Sequence, residues 1–186
     1  MPPKAKFTKE EIVEAGLSIV REGGIDSLTA RTLGDRLGSS ARPIFTVFKS
    51  MDEVHQAVIG AAREVYDGYI GEGLSETLSF KGVGAAYIRF AIVEPKLFQL
   101  LFMSEQEAIP DISGILPLID ENYNKILLSI DKDYGVKGVQ AEKLYQHLWI
   151  YTHGIASLCA TKMCRFTEEE IGGMMTEVCL ALLGRQ

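Results

Sequence analysis

Apolar side chains recur along most of the chain at the three- and four-residue spacing of amphipathic α-helices. In the first such segment Ile12, Ala15 and Ile19 share a face, and Thr8 and Glu11 stand before it at capping-box spacing. No segment alternates apolar and polar residues over the length of a strand. The pattern therefore predicts an all-α fold of about nine helices. They cover approximately residues 8–23, 29–37, 41–47 and 50–69, a fifth around 87–91, and a sixth over 95–103. A seventh starts loosely around Pro110, Gly114 and Pro117 and becomes regular from Ile119 to Ile130, and the last two cover 139–163 and 167–183.

Residues 27–53 have the sequence signals of a helix-turn-helix. Thr29 is placed to cap one helix, Gly38 to end it, and Ser40 to begin a short helix that ends near Val47. A helix-turn-helix inserts its second helix into the major groove of DNA. An ordinary helical hairpin with a solvated polar face has the same spacing, so spacing alone leaves both interpretations open.

The side chains that would face DNA are short, polar or basic. Arg42 has the geometry to bond a guanine edge or a phosphate, and Ser40 to cap its helix and contact phosphate. Ile44, Val47 and Phe48 form the inward set that would hold the recognition helix in place. The residues expected to contact DNA on these grounds are Thr29, Arg31, Ser39, Ser40, Arg42, Thr46 and Lys49.

The charge of the chain is distributed unevenly. Residues 1–50 carry eight Lys and Arg against six Asp and Glu, whereas the remaining 136 residues carry eleven against nineteen. This asymmetry confines any attraction for phosphate to the N-terminal end. With 47% hydrophobic residues the chain has enough apolar material for a packed core.

The sequence lacks two kinds of apolar segment that would direct a protein to a membrane. No apolar run approaches the roughly 18–20 residues of a membrane-spanning helix, and the first residues lack the apolar segment of a signal peptide. We therefore expect a cytoplasmic protein with no membrane partner.

The last two predicted helices are apolar on more faces than one subunit would cover. A two-fold, four-helix interface between two copies of the chain would bury these faces, and it would make the DNA site a palindrome. We therefore expect a homodimer formed through helices eight and nine. The small residues that would permit close helix approach are Gly154, Ala156 and Ala160 on helix eight, and Gly172, Gly173 and Ala181 on helix nine.

Many positions in roughly residues 7–60 agree in order and spacing with one known family. They are Thr8…Ala15, Gly23-Gly24, Leu28-Thr29-Ala30-Arg31, Leu33-Gly34, Leu37-Gly38-Ser39-Ser40 and Ile44-Phe45-Thr46-Val47-Phe48-Lys49-Ser50-Met51-Asp52-Glu53. This segment resembles the N-terminal domain of TetR-family transcriptional regulators. The resemblance implies a DNA-binding head and a variable helical C-terminal domain that binds a small ligand and dimerises, typically through its last two helices. The Trp149…His153-Gly154 segment resembles the Trp…His-Gly signature of one C-terminal subclass of that family.

Two positions depart from the family pattern. The family usually has Tyr where this chain has Phe45, and often His where it has Val47. Phe45 lacks the hydroxyl that would bond a phosphate, which leaves stacking against a sugar or packing as its roles at the DNA-binding surface. Val47 removes a polar contact, so Arg42, Thr46 and Lys49 carry more of the expected DNA binding.

The stretch from Gly68 to Gly73, followed by Ser75 and Ser79, is the least periodic part of the chain and is the expected domain boundary. We predict that residues 1–50 form the helix-turn-helix domain and that 51–70 form a connecting helix. Residues 71–186 would then form the ligand-binding and dimerisation domain that the resemblance implies.

The C-terminal segment is rich in aromatic and other soft side chains. Plain core packing accounts for any single one of them, whereas the resemblance makes part of the set the wall of an apolar pocket, with His153 or Tyr151 as an orienting polar group. A hydrogen-bonded structural role for His153 stays open as well. The candidate ligand-binding residues are Tyr87, Phe90, Phe98, Phe102, Met103, Tyr123, Trp149 and His153.

These features lead to the hypothesis of a ligand-responsive transcriptional regulator, a repressor that a small apolar effector releases from a palindromic operator. Its partners would be double-stranded DNA, the effector and a second copy of the chain. We expect no cofactor, no metal site and no catalytic residues, because nucleophile-elbow, phosphate-loop, dinucleotide-binding and H-E-x-x-H motifs are absent from the sequence.

The sequence leaves two alternatives to a ligand-responsive regulator open. The three cysteines form no paired framework and no C-x-x-C spacing, but Cys159 and Cys164 could make the chain a redox-responsive regulator. A helical adaptor that does not bind DNA is the other alternative.

Overall fold

The computed structural model describes residues 6–105 and 110–184. Within these ranges the chain forms α-helices and short 3-10 turns and contains no strand, which confirms the predicted all-α fold of about nine helices. None of the described helices combines the length and apolar composition needed to span a bilayer. The α-helices of the described ranges are α1 (Lys9–Gly23), α2 (Ala30–Arg36), α3 (Met51–Ser75), α4 (Ser79–Val93), α5 (Pro95–Phe102), α6 (Ile112–Ile119), α7 (Tyr123–Tyr134), α8 (Gly138–Ala160) and α9 (Glu168–Leu183).

Local capping signals place the helix starts correctly. At the start of α1 the Glu11 N–H donates to Thr8 Oγ1 (3.2 Å), and the Thr8 N–H donates to the Glu11 carboxylate (2.8 Å). Thr167 and Glu170 make the same pair of bonds at the start of α9. These short-range bonds satisfy N–H groups that have no partner within the helix, so the sequence alone predicts them.

The predicted third helix is a single 3-10 turn, Ile44–Thr46, rather than an α-helix over 41–47. Its N–H groups bond mainly to the carbonyl three residues earlier, as in Ile44 N–H to Ala41 O (3.1 Å) and Thr46 N–H to Pro43 O (3.2 Å). Pro43 disfavours the helical conformation at the residue before it, Arg42, and donates no hydrogen bond itself. An α-helix therefore does not begin before the proline.

The predicted seventh helix is divided in two, α6 and α7, which restores the total of nine. Asp120 ends α6, and its Oδ1 accepts a bond from the Asn122 N–H (2.8 Å). This side-chain bond to the backbone two residues on closes a tight turn between the helices. Pro117 lies inside α6 and Asp111 caps its start.

The stretch Gly68–Gly73, where the sequence placed the domain boundary, is helical, because α3 continues through it to Ser75. A Cβ placed on Gly73 would lie 2.6 Å from the carbonyl oxygen of Gly82 in α4. Gly73 therefore permits two helix backbones to touch, and its sequence signal reflects packing rather than a loop.

The chain divides into two compact units. The first contains the described residues up to Val65 together with Lys96–Ser104, and the second contains Tyr66–Pro95 and the described residues from Glu105 onward. The division falls within α3, inside the segment 51–70 expected to connect the domains. It also assigns the segment 96–104, which holds most of α5, to the first unit, whereas the sequence placed it in the second domain.

Each unit has its own apolar core. In the first unit α1 packs against α2, and Leu33, Val54 and Phe98 are buried. In the second unit α4 packs against α7, α8 and α9, with Phe90 and Ile126 fully buried.

The close approach of Gly73 to Gly82 predicts that alanine substitutions at Gly73 and at Gly71 have opposite effects on the free energy of unfolding. Gly73→Ala should lower the free energy of unfolding by about 1–3 kcal/mol, because the new Cβ would displace the α4 backbone. Gly71→Ala should raise it by about 0.5–1 kcal/mol, because a Cβ there meets no neighbour and alanine favours the helix. Chemical denaturation measures both, and equal stabilities for the two variants would contradict this account.

Candidate nucleic-acid interface and internal cavity

The turn between α2 and the Ile44–Thr46 turn depends on close backbone contact at Gly34. A Cβ on Gly34 would lie 3.0 Å from both Ala41 N and Ser39 O. The Ser39 N–H donates to Gly34 O (2.9 Å), and Gly38 adopts a left-handed φ of 62°. Two glycines thus make the turn tight enough to hold the 39–46 segment against α2.

Two apolar anchors fix the 3-10 turn. Ile44 and Phe48, both predicted to point inward, are buried, while Val47 is half-buried. The Lys9 ammonium lies 5.8 Å from the centroid of the Phe48 ring, which adds a cation–π contact from α1. With the apolar side of the turn buried, its polar side faces outward.

The predicted DNA-contacting residues lie on the surface of this unit. Seven of them are exposed, and Ser39 is half-buried with its hydroxyl accepting a bond from Lys6 Nζ (3.1 Å). Phe45 is 45% exposed, which is unusual for a large aromatic ring. The seven exposed residues are Thr29, Arg31, Ser40, Arg42, Phe45, Thr46 and Lys49.

The basic side chains divide into two groups. Arg36 is held against α1, where it donates to Ser18 Oγ (2.6 Å) and to both carboxylate oxygens of Glu22 (3.0 and 2.6 Å). No ion pair or side-chain hydrogen bond in the described part of the chain involves the Arg31, Arg42 or Lys49 cations. These three are available to an external anion, whereas Arg36 serves the scaffold.

Two of the predicted hydroxyl contacts already have local roles. Thr29 Oγ1 accepts from the Thr32 N–H (3.2 Å) as the cap of α2, and Thr46 Oγ1 donates to Pro43 O (2.6 Å). Because Thr29 caps α2 and Thr46 bonds within the turn, a phosphate contact by either hydroxyl would have to add to these bonds rather than replace them.

The second unit encloses a cavity of about 220 Å³ lined by residues of α3, α4, α7, α8 and α9 and by Asp120. Its lining is largely apolar and aromatic. The buried lining residues are Tyr66, Phe80, Val83, Tyr87, Asp120, Tyr145, Leu148 and Thr152, and the exposed ones are Leu78, Lys81, Thr176 and Leu180. The cavity therefore has a buried end and a solvent-facing rim.

A carboxylate lies at the buried end. Asp120 is 4% exposed, and its Oδ2 accepts a bond from the Tyr66 hydroxyl (2.7 Å). Burial raises the pKa of the Asp120 carboxyl, and the bonds from Tyr66 and Asn122 pull it down, while the neighbouring Asp67 charge raises it. No ion pair among the described residues includes Asp120.

The tyrosines around this carboxylate remain protonated at neutral pH. Burial is the main cause that raises the pKa of Tyr66, Tyr87 and Tyr145 well above its ordinary value, and the Asp120 charge adds to it in each case. Burial also raises the pKa of Tyr134 to about 12. These side chains present hydroxyl donors and neutral rings to the cavity.

The eight sequence-predicted ligand residues are spread over different places. Only Tyr87 and Trp149 line the cavity. Tyr123 stacks on Tyr145 (5.9 Å between centroids), and Phe90 contacts the Tyr66 ring (5.4 Å), so both lie beside the lining rather than in it. Phe98, Phe102 and Met103 belong to the first unit.

His153 supports the lining from outside. Its Nδ1 lies 2.9 Å from the Tyr87 hydroxyl, and its ring stacks on Trp149 at 5.1 Å between centroids. Burial lowers the pKa of His153, so the ring is neutral at physiological pH. The hydrogen-bonded structural role left open for this residue is the one its geometry supports.

Sequence reasoning missed seven of the eight buried lining residues, among them Tyr66, Asp120 and Tyr145. Tyr145 lies four residues before Trp149 on the same face of α8, and Tyr66 continues the α3 stripe of Val58 and Ala62. Helical spacing could have found both. Asp120 carried no such signal, because it falls in a polar break between helices.

The cysteines have little thiolate character where they are buried. Burial raises the pKa of Cys159, with Cys164 adding to it, and burial likewise raises the pKa of Cys179. Cys164 is exposed. Since the thiolate is the reactive species, these surroundings do not favour a redox sensor at Cys159.

The outer surfaces of α8 and α9 carry exposed apolar and small residues. Ile150, Gly154 and Leu158 form a stripe along α8 at four-residue spacing, and a Cβ on Gly154 would meet open space. On α9 Gly172 and Gly173 are also open and Ala181 is exposed. Ala156 and Ala160, which the sequence also assigned to a helix interface, are buried within their own unit and do not reach this surface.

Comparison of the chain with models of known families and with curated proteins finds no match.

The buried carboxylate predicts a pH-dependent effect of Asp120→Asn. The folded chain holds the Asp120 proton more tightly than the unfolded chain does, so the ionised group costs stability as pH rises above the ordinary Asp pKa of about 4. Asn keeps the Oδ1 acceptor for Asn122, and its amide can donate to the Tyr66 hydroxyl. The variant should therefore be more stable than the wild type at pH 7 and about equal to it below pH ~4. Denaturation at a series of pH values measures the difference in free energy of unfolding between variant and wild type. A difference that does not vary with pH would contradict the prediction.

Proposed function

We propose that this chain is a DNA-binding transcriptional regulator, a repressor that leaves a palindromic operator when a small, largely apolar effector binds. The observation that carries the proposal is the orientation of the turn after α2. Burial of Ile44 and Phe48 leaves Arg42, Phe45 and Lys49 on the outside. The resemblance of residues 7–60 to the TetR-family DNA-binding domain supports the same function.

The unpartnered cations support DNA as the ligand of this surface. Arg31, Arg42 and Lys49 flank the turn, and guanidinium and ammonium groups bind phosphate oxygens and guanine edges. A 3-10 turn of three residues offers few side chains to the bases. Phosphate contacts would therefore supply much of the affinity, which should fall steeply with salt.

The continuity of α3 supports a route from effector to DNA. This one helix supplies Val58, whose side chain packs on Gly16 of α1, and Tyr66, which lines the cavity. A displacement of Tyr66 by a bound effector would be passed along the helix to the DNA-binding unit. The effector can shift DNA affinity only by binding the two states of the protein with different affinities.

The exposed surface of α8 and α9 supports a homodimer. Ile150 and Leu158 are 51% and 37% exposed, and the open Gly154 between them would let a partner helix approach closely. Two copies related by a two-fold axis would present two DNA-binding units to a palindromic site.

Removal of the Arg42 guanidinium should weaken DNA binding about tenfold or more, because a charged contact to a base edge or phosphate is lost. A duplex selected from a random-sequence pool by the wild-type protein is the probe, and fluorescence anisotropy at two salt concentrations is the measurement. Arg63→Ala is the control, since it removes the same charge from an exposed position on α3. Equal binding by Arg42→Ala and wild type, or no duplex enriched by the wild type, would contradict the proposal.

A charge placed in the α8 stripe should separate the two copies. Leu158→Glu should convert the dimer into a monomer, because the carboxylate would be buried without a partner in the interface. Leu128→Glu on α7, where the side chain is 68% exposed, should leave the dimer intact. Sedimentation velocity reports both masses, and a wild-type chain that is monomeric at micromolar concentration would contradict the proposed dimer.

A further inference from the structure

We propose that the cavity of the second unit binds a hydrophobic organic cation, with the Asp120 carboxylate as its counter-charge and tyrosine and tryptophan rings as its walls. The assignment of this cation as the effector rests on the proposed function. The binding site itself rests on the composition and geometry of the cavity.

The Asp120 carboxylate has no balancing positive charge in the described part of the chain. Asp120 is buried and accepts hydrogen bonds from the Tyr66 hydroxyl (2.7 Å) and the Asn122 N–H (2.8 Å), but no cation among the described residues pairs with it. A buried carboxylate is costly unless a positive charge compensates it. The two hydrogen bonds supply polar contacts, so what the group lacks is a counter-charge.

The fold does not need a charge at position 120. The structural task of Asp120 is to accept the Asn122 N–H at the α6–α7 junction and to bond the Tyr66 hydroxyl. An asparagine would make both bonds without burying a charge, since a tyrosine hydroxyl can also accept. A carboxylate at this position is therefore explained by its attraction for a positively charged ligand rather than by its structural hydrogen bonds.

The aromatic rings that line the cavity also suit a cation. Tyr66 and Tyr87 pack edge to face at 6.1 Å between centroids, as do Phe80 and Tyr145, and Trp149 completes the lining. The faces of tyrosine and tryptophan rings attract cations, most strongly where water is excluded. A carboxylate surrounded by such rings favours a positively charged ligand over a neutral or an anionic one.

The positive charges near the cavity do not take this role. Lys81 is the only basic residue in the cavity lining that the structure describes, and it is exposed at the rim, where solvent screens it. Lys125 donates to Asn122 Oδ1 (3.1 Å) and Lys132 to Ser79 Oγ (3.0 Å), and neither forms an ion pair with Asp120. Asp67, which accepts a bond from Asn122 Nδ2 (2.9 Å), adds negative potential beside Asp120.

The volume limits the size of the ligand. A cavity of about 150 Å³ is known to hold benzene, so the present one, about 220 Å³, has room for one ring and a small cationic group. Benzyltrimethylammonium has this size and carries a permanent charge. Neopentylbenzene has the same shape with carbon in place of nitrogen, which makes the pair a direct test of charge.

The experiment measures direct binding of the two probes by fluorescence, because Trp149 is the only tryptophan of the chain and lines the cavity. We expect benzyltrimethylammonium to bind the wild type at least about tenfold more tightly than neopentylbenzene. Equal binding, tighter binding of the neutral probe, or no binding of the cation would overturn the proposal. This comparison needs no variant.

Two variants then assign the preference to Asp120. Asp120→Asn should lose the preference for the cation and still bind neopentylbenzene, whereas Asp131→Asn, which removes the same charge from a surface ion pair with Lys137, should keep it. Thermal unfolding verifies that both variants are folded. An Asp120→Asn protein that is folded and still prefers the cation would overturn the role of this carboxylate.

A parallel titration of the protein–duplex complex with benzyltrimethylammonium distinguishes this inference from the proposed function. Cation-selective fluorescence with unchanged DNA affinity would support the cation site and overturn its role as effector site. Specific DNA binding without any cation preference would support the regulator and overturn the cation site.

Discussion

The hydrogen bond from the Tyr66 hydroxyl to Asp120 determines much of the second unit. It joins α3 to the junction of α6 and α7, and the Tyr66 ring in turn packs against Tyr87 and Phe90. Because the Asp120 side chain is polar and buried, its surroundings must supply hydrogen bonds, and two donors do so. The same bond that links α3 to the α6–α7 junction thus places a polar group in the lining of the cavity.

The first unit is organised by a different constraint, the close contact of backbones at Gly34. This contact holds the turn against α2, and the burial of Ile44 and Phe48 then decides which side chains face outward. Basic residues of similar appearance in the sequence acquire different roles as a result. Arg36 is bound to Glu22 and Ser18, while Arg42 has no such partner among the described residues. The exposed cations are what make this surface suited to an anionic polymer.

In the proposed regulator, α3 is the element that would couple effector binding to DNA binding, because it contributes residues to both units without a break. Its C-terminal part is held by the backbone contact between Gly73 and Gly82, and its N-terminal part by the contact of Val58 with Gly16. Of the glycines that make the sequence look like a linker, Gly73 is the one that permits this close contact with α4.

Features that depend on neighbouring residues can be predicted from sequence patterns. Capping at Thr8 and Thr167, the all-helical pattern and the inward positions of Ile44 and Phe48 were predicted, because helix starts and amphipathic faces follow from residues within one or two turns. Which apolar residues share a core depends instead on the packing of whole helices, and the structure is needed to see it. Phe98 and Tyr87 have similar aromatic signals, yet one lies in the first unit and the other lines the cavity of the second. Helix packing also buries Asp120 beside Tyr66, 54 residues away along the chain. Contacts at that separation leave no periodic trace in the sequence, because they depend on how whole helices pack rather than on local preference.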